Sequence, residues 1–199
     1  HVDVVYAKER KIHVASAAGA NAGSVGDLAL SYMLSFARRL PECRDDLRAD
    51  GWNRKGLTGF ALEEKVLGLL GAGNTGRATA KRAAAFGMKV VAYDPLYKPG
   101  TVVDGISEFL FSKEDVLHEA DIVSCHVPLQ DDTLGLLSAK DFQMMKKGSY
   151  VLNTSRGGVV VEDDIHMALD SGHIAGYGVD VFTVEPLPAG NWMRSHSKV

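Results

Sequence analysis

From residue 65 onward, short apolar runs alternate with segments whose apolar residues recur at helical spacing. The runs end at Gly, Pro or Asp and are too short for buried helices, so we interpret them as strands. The predicted strands are KVLGLL (65–70), MKVVAYD (88–94), DIVSCHV (121–127), SYVLNT (149–154) and AGYGVDVF (175–182). The predicted helices are TGRATAKRAAAF (75–86), KEDVLHEA (113–120), DFQMMKKG (141–148) and EDDIHMALDSG (162–172). Strands joined by such helices form a parallel sheet covered on both faces, the α/β, Rossmann-type doubly wound class.

The first fifty residues follow a different pattern. KIHVAS (11–16) alternates like a strand, and a long helix is predicted from about residue 24, where Ser24 precedes Asp27 as in a capping box. The residues of this helix expected to face the core recur at a spacing of four: Leu28, Tyr32, Phe36 and Leu40. Pro41 either kinks the helix or begins a second one.

Composition restricts the class of partner. The net charge of −3, from 22 basic and 25 acidic residues, includes no long run of like charge that would suit nucleic acid or an anionic membrane. The longest apolar runs are too short to span a bilayer, so we expect a soluble, cytoplasmic protein that acts on a small molecule. Cys43 and Cys125 are far apart and no histidine stands at metal-ligand spacing, so neither a disulfide framework nor a metal site is predicted.

A glycine pattern lies where the first predicted strand ends and its helix begins. GLLGAGNTG (68–76) places Gly71, Gly73 and Gly76 in the order G-x-G-x-x-G, which lets a pyrophosphate approach the backbone at a helix N-terminus. The N–H groups of Asn74, Thr75 and Gly76 lie at that terminus. The pattern alone is weak evidence, because methyltransferases and ordinary turns also use glycines.

An acidic residue at the end of the second strand favours a dinucleotide. Asp94 stands eighteen residues after Gly76, where its carboxylate can accept hydrogen bonds from both hydroxyls of an adenosine ribose. The same charge repels the 2′-phosphate of NADP, so we predict NAD as the cofactor, although Lys98 is near enough to soften the repulsion. The alternative is that Asp94 only forms the turn before Pro95.

Several stretches in order along nearly the whole chain resemble the D-isomer-specific 2-hydroxyacid dehydrogenases, the group of D-lactate, D-glycerate, hydroxypyruvate and phosphoglycerate dehydrogenases. They are HVDVVYAKERKIHV, GANAGSVGDLAL, GWN, GLLGAGNTG, AYDP, HVPL, NTSRGGVV, SGHIAGYGVDVF and VEPLP. The resemblance implies an oxidoreductase that transfers a hydride between NAD(H) and a small D-2-hydroxyacid or 2-oxoacid.

The resemblance also implies roles for residues near the ends of the last strands. Arg156, in NTSRGG, resembles the arginine that holds the carboxylate and carbonyl oxygen of a 2-oxoacid; the alternative is an ion pair with a neighbouring acid. Glu185, in VEPLP, matches the carboxylate that keeps an active-site histidine protonated. Asp180 resembles the acid that orients the nicotinamide carboxamide, and Thr154 and Ser155 are expected against the cofactor.

No histidine of this chain matches the family's proton donor. His126, Val127 and Pro128, in HVPL, are implied to wall the cofactor pocket. His196 follows Glu185 by only eleven residues, in the polar run RSHSK, and we interpret it as part of a surface loop. We therefore expect the catalytic histidine just beyond the chain end, and the chain to be a fragment that is inactive alone.

By the same resemblance, residues 1–18 are expected to be a remnant of the substrate domain and residues 19–199 the NAD-binding domain. Asn74 and Thr75 replace the family's usual arginine and isoleucine, so one charge contact to the pyrophosphate is expected to be lost. The long helix and the GWN segment (51–53) are implied to form a twofold contact, which predicts a homodimer.

Two alternatives remain at this point. SGHIAGY (171–177) is similar to the NAD-dependent formate dehydrogenases, although that branch has glutamine where Glu185 stands. The other alternative is a dinucleotide-sensing interaction protein like the family's transcriptional corepressors, in which NAD binding controls dimerisation.

Overall fold

The computed structural model describes residues 2–199, which contain one sheet of six parallel strands. His1, the first residue of the expected 1–18 remnant, lies outside the described residues. The strands are β1 (Val66–Leu70), β2 (Lys89–Tyr93), β3 (Glu108–Phe109), β4 (Ile122–Cys125), β5 (Ser149–Asn153) and β6 (Ile174–Val179). Their order is β3-β2-β1-β4-β5-β6, so the predicted doubly wound parallel sheet is confirmed.

Helices cover both faces of the sheet. They are α1 (Val4–Glu9), α2 (Ala22–Arg38), α3 (Leu40–Arg48), α4 (Asn74–Ala85), α5 (Lys113–Glu119), α6 (Ala139–Met144) and α7 (Glu162–Asp170), followed by a 3₁₀ helix at Trp192–Arg194. One hydrophobic core lies between the sheet and α2 with α4, and the other between the sheet and α5, α6 and α7. Within residues 2–199, no helix is both long and apolar enough to cross a bilayer.

Strand β1 lies between the two cores and its side chains alternate between them. Leu67 and Leu69 pack in the core under α2 and α4. Gly68 faces α5, where an added Cβ would lie 2.6 Å from Cγ1 of Val116. The glycine therefore allows α5 to approach the centre of the sheet.

The long helix α2 begins two residues before the predicted position. Its first residue is Ala22, not Ser24. Asp27, predicted to complete a capping box, instead accepts a hydrogen bond from Arg82 of α4 at 2.6 Å. The predicted capping box is therefore wrong, because Asn21 is the N-cap residue and Ser24 lies inside the first turn of the helix.

Helix α2 ends at a left-handed residue, and Pro41 follows it. Arg39 has a φ of 52° and separates α2 from α3. Pro41 lies in the first turn of α3, where its missing N–H leaves no helical hydrogen bond unmade. Of the two expectations for Pro41, the start of a second helix is the correct one.

The buried face of α2 differs from the predicted face. The predicted core residues are half-buried or exposed: Leu28, Tyr32, Phe36 and Leu40. The fully buried positions are Gly26, Ala29, Met33 and Ala37. At Gly26 an added Cβ would lie 3.0 Å from the backbone carbonyl carbon of Ala78 in α4. Small residues let the two helices touch, so the large side chains are left at the margins of the contact.

Two local predictions of strand structure differ from the fold. KIHVAS is not a strand: Ile12 and Val14 are exposed, and no strand within residues 2–199 pairs with this segment. Alternation alone does not form a strand without a neighbour to supply hydrogen bonds. Conversely, β3 has only two residues and gives no apolar run long enough to recognise.

Candidate functional site

The carboxyl edge of the sheet gathers the predicted site residues. The strand order reverses between β1 and β4, which creates the crevice where doubly wound sheets bind ligands. The segments that follow β1, β2, β4, β5 and β6 all leave the sheet at this edge because the strands are parallel. Every predicted site residue lies on one of these segments or in the first turn of α4.

The turn after β1 requires glycine at two positions and leaves a third open. Gly71 has a φ of 94°, and an added Cβ there would lie 2.7 Å from the His126 carbonyl oxygen. An added Cβ at Gly76 would lie 2.3 Å from the Gly71 carbonyl oxygen. Gly73 is exposed and an added Cβ would meet nothing within 4 Å. Packing therefore explains Gly71 and Gly76, whereas Gly73 faces open space at the start of α4.

The N-terminus of α4 points its free N–H groups at this open space. Gly73 is the N-cap residue and has no side chain that could bond them. The first N–H of the helix with an intrahelical acceptor is that of Arg77, which donates to the Gly73 carbonyl at 3.0 Å. The N–H groups of Asn74, Thr75 and Gly76 form the positive end of the helix, which suits an anionic group.

Asp94, at the end of β2, is bonded to the glycine turn. Its Oδ2 accepts a hydrogen bond from the N–H of Ala72 at 2.9 Å, and its Oδ1 accepts one from the N–H of Leu96 at 2.9 Å. The turn-forming role considered from the sequence is therefore present. Each carboxylate oxygen still has a second lone pair, so these bonds do not prevent the carboxylate from accepting ribose hydroxyls.

Arg77 is a cation beside the turn that sequence reasoning missed. Its Nε donates to the Ala72 carbonyl at 3.0 Å, and its guanidinium also bonds the hydroxyl of Tyr97. Arg77 thus joins the glycine turn to the segment after β2. The only signal in the sequence is an arginine one turn into the helix, three residues after Asn74.

His126 is buried and neutral at the end of β4. Its Nε2 lies 2.9 Å from Oγ of Ser124, while Nδ1 is buried without a hydrogen-bond partner within the described residues. Burial lowers the pKa of His126 to about 4. Such a histidine does not donate a proton near neutral pH, which agrees with its interpretation as part of a pocket wall.

A cavity of about 380 Å³ opens between the ends of β1, β2 and β4. Its lining includes Gly71, Tyr93, Val127 and Thr133. Pro128, the third residue of the predicted wall, is exposed just beyond the buried end of β4, and its carbonyl accepts a hydrogen bond from the Thr133 hydroxyl at 2.6 Å. The volume is in the range that holds part of a small-molecule ligand.

The segment after β5 is folded around the side chain of Asn153. Its Oδ1 accepts hydrogen bonds from the N–H and the hydroxyl of Ser155 at 3.1 and 2.8 Å, and its Nδ2 donates to the Arg156 carbonyl at 2.9 Å. Thr154 and Ser155 are buried, and Oγ1 of Thr154 has no hydrogen-bond partner within residues 2–199. Asn153 therefore fixes the backbone that presents Arg156.

Arg156 is exposed at the mouth of the crevice. Its Nη1 donates to the Ser155 carbonyl at 2.7 Å. Among the described residues, no carboxylate lies within 4.0 Å of the guanidinium. The alternative of a structural ion pair is thus not found in this part of the chain, and the guanidinium can bind an external anion.

The segments after β5 and β6 touch directly. An added Cβ at Gly157 would lie 2.0 Å from the Phe182 carbonyl oxygen. The N–H of Phe182 donates to Oε1 of Glu185 at 2.9 Å, and the N–H of Thr183 donates to Oε1 of Glu162 at 2.8 Å. The segment that carries Glu185 therefore lies against the segment that carries Arg156.

Asp180 follows β6 immediately and is exposed. Its N–H donates to the Asn153 carbonyl at 3.1 Å, which places it next to the Asn153 turn. The carbonyl of Val179 accepts the Tyr32 hydroxyl at 2.9 Å, so α2 holds the end of this strand. The Asp180 carboxylate is thereby presented at the same edge as Thr154 and Ser155.

The described residues suit a dinucleotide. The open position at Gly73 and the free N–H groups of α4 lie on the same crevice as Thr154 Oγ1 and His126 Nδ1, two of the three buried side-chain polar atoms without partners in residues 2–199. Buried polar atoms without partners are rare in folded proteins and point to a missing hydrogen-bonding group. Asp94, on the other side of the turn, is a carboxylate that can accept hydrogen bonds from hydroxyl groups.

Comparison with known proteins agrees with this arrangement. The sequence model of the family described as D-isomer specific 2-hydroxyacid dehydrogenase, NAD binding domain, matches residues 30–199. A hydroxypyruvate reductase from Thermotoga maritima is 41% identical over 186 residues, which are 94% of this chain and 60% of that protein. A glyoxylate reductase from Thermococcus litoralis is 36% identical over 193 residues, 94% of this chain and 58% of that protein.

A solved structure with the same fold contains the cofactor. The NAD-dependent formate dehydrogenase from Staphylococcus aureus, in complex with NAD, superimposes with a TM-score of 0.87 and is 31% identical. The match covers all of this chain and 59% of that one. The chain thus spans about 60% or less of the length of these proteins.

Proposed function

Because the chain belongs to the D-isomer-specific 2-hydroxyacid dehydrogenase family and its cofactor is NAD, we propose that it takes part in hydride transfer between NAD(H) and a small D-2-hydroxyacid or 2-oxoacid. The observation that carries the proposal is Arg156, a guanidinium at the carboxyl edge with no carboxylate within 4.0 Å in residues 2–199. A cation left free beside a nucleotide crevice suits an anionic substrate.

We propose that the described crevice holds the cofactor along its length. The glycine turn and the N–H groups of Asn74, Thr75 and Gly76 would receive the pyrophosphate, and Asp94 the adenosine ribose. On the other side of the crevice, His126, Val127 and Pro128 would form one wall. Thr154, Ser155 and Asp180 would contact the nicotinamide end, because they follow the two strands that lie beyond the switch point.

Arg156 would bind the carboxylate and the carbonyl oxygen of the oxoacid with two N–H groups at once. Negative charge develops on that oxygen as the 2-carbon accepts a hydride, and a fixed cation stabilises it. Asn153 supports this role because three of its hydrogen bonds fix the segment before and at Arg156.

Glu185 would hold a histidine in its protonated form, and we expect that histidine outside these 199 residues. The hydride to the 2-carbon would come from bound NADH, and the imidazolium would give its proton to the oxygen, so that the 2-oxoacid becomes the hydroxyacid. Glu185 is exposed and uses Oε1 to accept one backbone N–H, so Oε2 is free to accept a second donor.

The proposed substrates are small 2-oxoacids, in line with the names of the hydroxypyruvate and glyoxylate reductases that the chain is similar to. The likeness to a formate dehydrogenase makes formate the second candidate. Glu185 favours the oxoacids, since the resemblance implies glutamine at this position in formate dehydrogenases.

We further propose that residues 1–18 belong to a substrate domain and residues 19–199 to the NAD-binding domain. The support is the exposure of apolar side chains in α1 and the segment after it, with Val4 61%, Val5 70% and Ile12 55% exposed. Apolar side chains clustered in this way commonly pack on another unit. Limited proteolysis of the 199-residue chain in which residues 1–18 are cleaved no faster than the rest would contradict the division into two domains.

We also propose a cytoplasmic homodimer. Leu40, Leu47 and Trp52 expose 52, 60 and 77% of their surface around α3 and the GWN segment, which suits a twofold contact. Both cysteines are free thiols, as expected in a reducing compartment. Gel filtration at micromolar concentration should give a dimer that Trp52→Gln weakens, and a monomer for both proteins would refute this proposal. Recovery with a periplasmic or secreted fraction would contradict the location.

The test of the activity follows NADH absorbance in the complete gene product that carries these residues. The substrates are glyoxylate, hydroxypyruvate, pyruvate and phosphohydroxypyruvate, with formate and NAD in the reverse assay. We expect turnover of an oxoacid, lowered by roughly 100-fold or more in Arg156→Gln with NADH affinity unchanged. NADH binding without turnover of any substrate would refute the proposal and favour the sensing alternative.

A further inference from the structure

A cluster of two histidines and an aspartate lies outside the cofactor crevice, on α7 and the C-terminal segment. His166 and Asp170 are one turn apart on α7, and His196 follows the 3₁₀ helix. Nε2 of His196 lies 3.3 Å from Oδ1 of Asp170, and Nε2 of His166 lies 3.7 Å from Oδ2. One possible ligand atom from each of the three residues lies within 4.8 Å of the others.

Trp192 holds both imidazole rings in place. The ring of His166 stacks on the indole with centroids 4.0 Å apart and an angle of 4° between the planes. The ring of His196 meets the same indole edge-on at 5.6 Å and 83°. His196 lies in an irregular segment between the exposed Ser195 and Ser197, in line with its interpretation as part of a loop, but its side chain is only 14% exposed. The contact with Trp192, which sequence spacing did not indicate, accounts for the burial.

We propose that His166, Asp170 and His196 bind a divalent cation of the zinc class. Two imidazole nitrogens and one carboxylate oxygen are a ligand set that Zn²⁺ accepts, with water in the fourth position. Ligand atoms at about 2.1 Å from a tetrahedral Zn²⁺ stand roughly 3.4 Å apart. The two nitrogen–oxygen separations, 3.3 Å to Oδ1 and 3.7 Å to Oδ2 of Asp170, are close to that value. Because they end at different oxygens and the three ligand atoms lie within 4.8 Å of one another, the side chains have to close in somewhat to share one ion.

Charge and access also suit a cation. Asp170 supplies a carboxylate and keeps 66% of its side chain exposed, which leaves room for a water ligand. Asp170 is the acidic partner of both imidazoles, and no lysine or arginine among the described residues lies within 4.0 Å of its carboxylate. The nearby ammonium of Lys198 donates to the Leu169 carbonyl instead, so no lysine or arginine pairs with Asp170 in this part of the chain.

Binding requires one rearrangement of a proton. Nδ1 of His196 accepts a hydrogen bond from the N–H of Lys198 at 3.1 Å, so the neutral ring carries its proton on Nε2. When Nε2 becomes a metal ligand, the proton moves to Nδ1 and the bond from Lys198 is lost. The backbone N–H of Lys198 is therefore a reporter of metal binding that does not depend on activity.

The cation would join two elements that hold the Glu185 segment. Glu162, at the start of α7, binds the N–H of Thr183, and Arg194, in the 3₁₀ helix, donates to the Pro188 carbonyl at 2.9 Å. A metal between α7 and the C-terminal segment would restrain both anchors together. Its role is structural, and it is independent of the substrate proposed above.

The test uses Trp192 as an optical probe in tag-free protein. The chain has two tryptophans, so Trp52→Phe leaves Trp192 as the only one. In this background Cu²⁺ and Ni²⁺ should quench the fluorescence of Trp192, Zn²⁺ should compete with them and raise Tm, and Mg²⁺ should do neither. The amide signal of Lys198 should shift on addition of Zn²⁺.

The variants separate a metal site from accidental quenching. Asp170→Asn should keep the fold because the side chain is mostly exposed, and should weaken Zn²⁺ binding by about tenfold or more. His166→Asn and His196→Asn should weaken it similarly, whereas His118→Asn, an exposed histidine on α5, should not. Equal quenching in Asp170→Asn and the parent, or no effect of Zn²⁺ on Trp192, Tm and Lys198, overturns the proposal.

Discussion

The carboxylate of Asp94 accepts a hydrogen bond at 2.9 Å from the N–H of Ala72, the residue between Gly71 and Gly73. The end of β2 therefore helps to shape the glycine turn. A second bond, from the N–H of Leu96 at 2.9 Å, holds the carboxylate in this position.

Asp94→Asn should weaken NADH binding by roughly 10- to 100-fold, the loss expected when charge-assisted hydrogen bonds to the ribose are removed. NADPH should lose less, because the repulsion of its 2′-phosphate is removed as well. Fluorescence titration with both nucleotides measures this, with Asp163→Asn, an exposed acid in the first turn of α7, as the control. Equal losses for both nucleotides would mean that Asp94 only forms the turn.

Gly73→Ala should lower the affinity for NADH, whereas Gly76→Ala should lower the stability of the fold. The methyl group at 73 meets nothing within 4 Å, so Tm should hardly change while NADH affinity falls. The methyl group at 76 would lie 2.3 Å from the Gly71 carbonyl oxygen, and the overpacking should cost about 1–3 kcal/mol of unfolding free energy. Urea unfolding and NADH titration of both variants check this, and a destabilised Gly73→Ala with normal NADH affinity would contradict it.

A buried ion pair beside the cavity at the carboxyl edge should be important for stability. Nζ of Lys113 lies 2.6 Å from Oδ1 of the fully buried Asp141 and donates to the Leu136 carbonyl at 2.9 Å. Lys113→Met leaves the aspartate without its cation and should cost about 3 kcal/mol or more. Lys89→Met, which breaks the half-exposed pair with Glu119, should cost about 1 kcal/mol or less. Similar losses in the two variants by urea unfolding would count against this account.

The loss in Lys113→Met should depend on pH. Burial alone would raise the pKa of Asp141, but hydrogen bonds from Lys113 and Ser138 hold it below its ordinary value. In the parent, this contribution to stability is present above the unfolded pKa of about 3.9 and lost as pH falls through the lower folded pKa. In Lys113→Met, protonation of Asp141 removes the cost of burying a carboxylate that has lost its cation. The difference in unfolding free energy between Lys113→Met and the parent protein should therefore shrink as the pH falls from about 7 to about 4. A difference that does not change with pH would be inconsistent with this role of Lys113.

His126 should make the protein less stable in weak acid. Its folded pKa is lowered to about 4 by burial, whereas a histidine in an unfolded chain titrates near about 6.5. As the pH falls, the unfolded state therefore gains a proton before the folded state does. The free energy of unfolding should decrease by up to roughly 3 kcal/mol as the pH falls from about 6.5 to about 4. The free energy of unfolding of His126→Gln, measured with urea at about pH 7 and about pH 4.5, should lack this decrease. The control variant His118→Gln changes an exposed residue and should retain the decrease. The same pH dependence of the unfolding free energy in both variants would disprove the assignment to His126.

The sheet could be predicted largely from the sequence because the strands lie in its interior. β1, β4 and β5 are buried on both faces and read as continuous apolar runs. The two-residue strand β3 gives no such run, and its position depends on pairing with β2. KIHVAS was predicted wrongly for the opposite reason, since it has the pattern of a strand without a described neighbour.

The candidate site could be predicted where a short motif fixes local geometry. The glycine turn and Asp94 are in contact because β1 and β2 pair side by side, and the strand-helix-strand pattern already implies this. The pairs of Arg77 with Tyr97 and of Lys113 with Asp141 join residues 20 and 28 positions apart on different elements. No spacing rule relates such residues, because their approach depends on how whole helices settle on the sheet.

The contact between Gly157 and Phe182 limits how the chain can vary between Arg156 and Glu185. Any side chain at 157 would collide with the Phe182 carbonyl, and the N–H of Phe182 donates a hydrogen bond to Oε1 of Glu185. The two segments are therefore packed directly against each other, and a longer or shorter connection after β6 would shift Glu185 relative to Arg156. Insertions should be tolerated in exposed turns such as the one around Gly100, where nothing lies within 4 Å of an added Cβ, and selected against between 180 and 185.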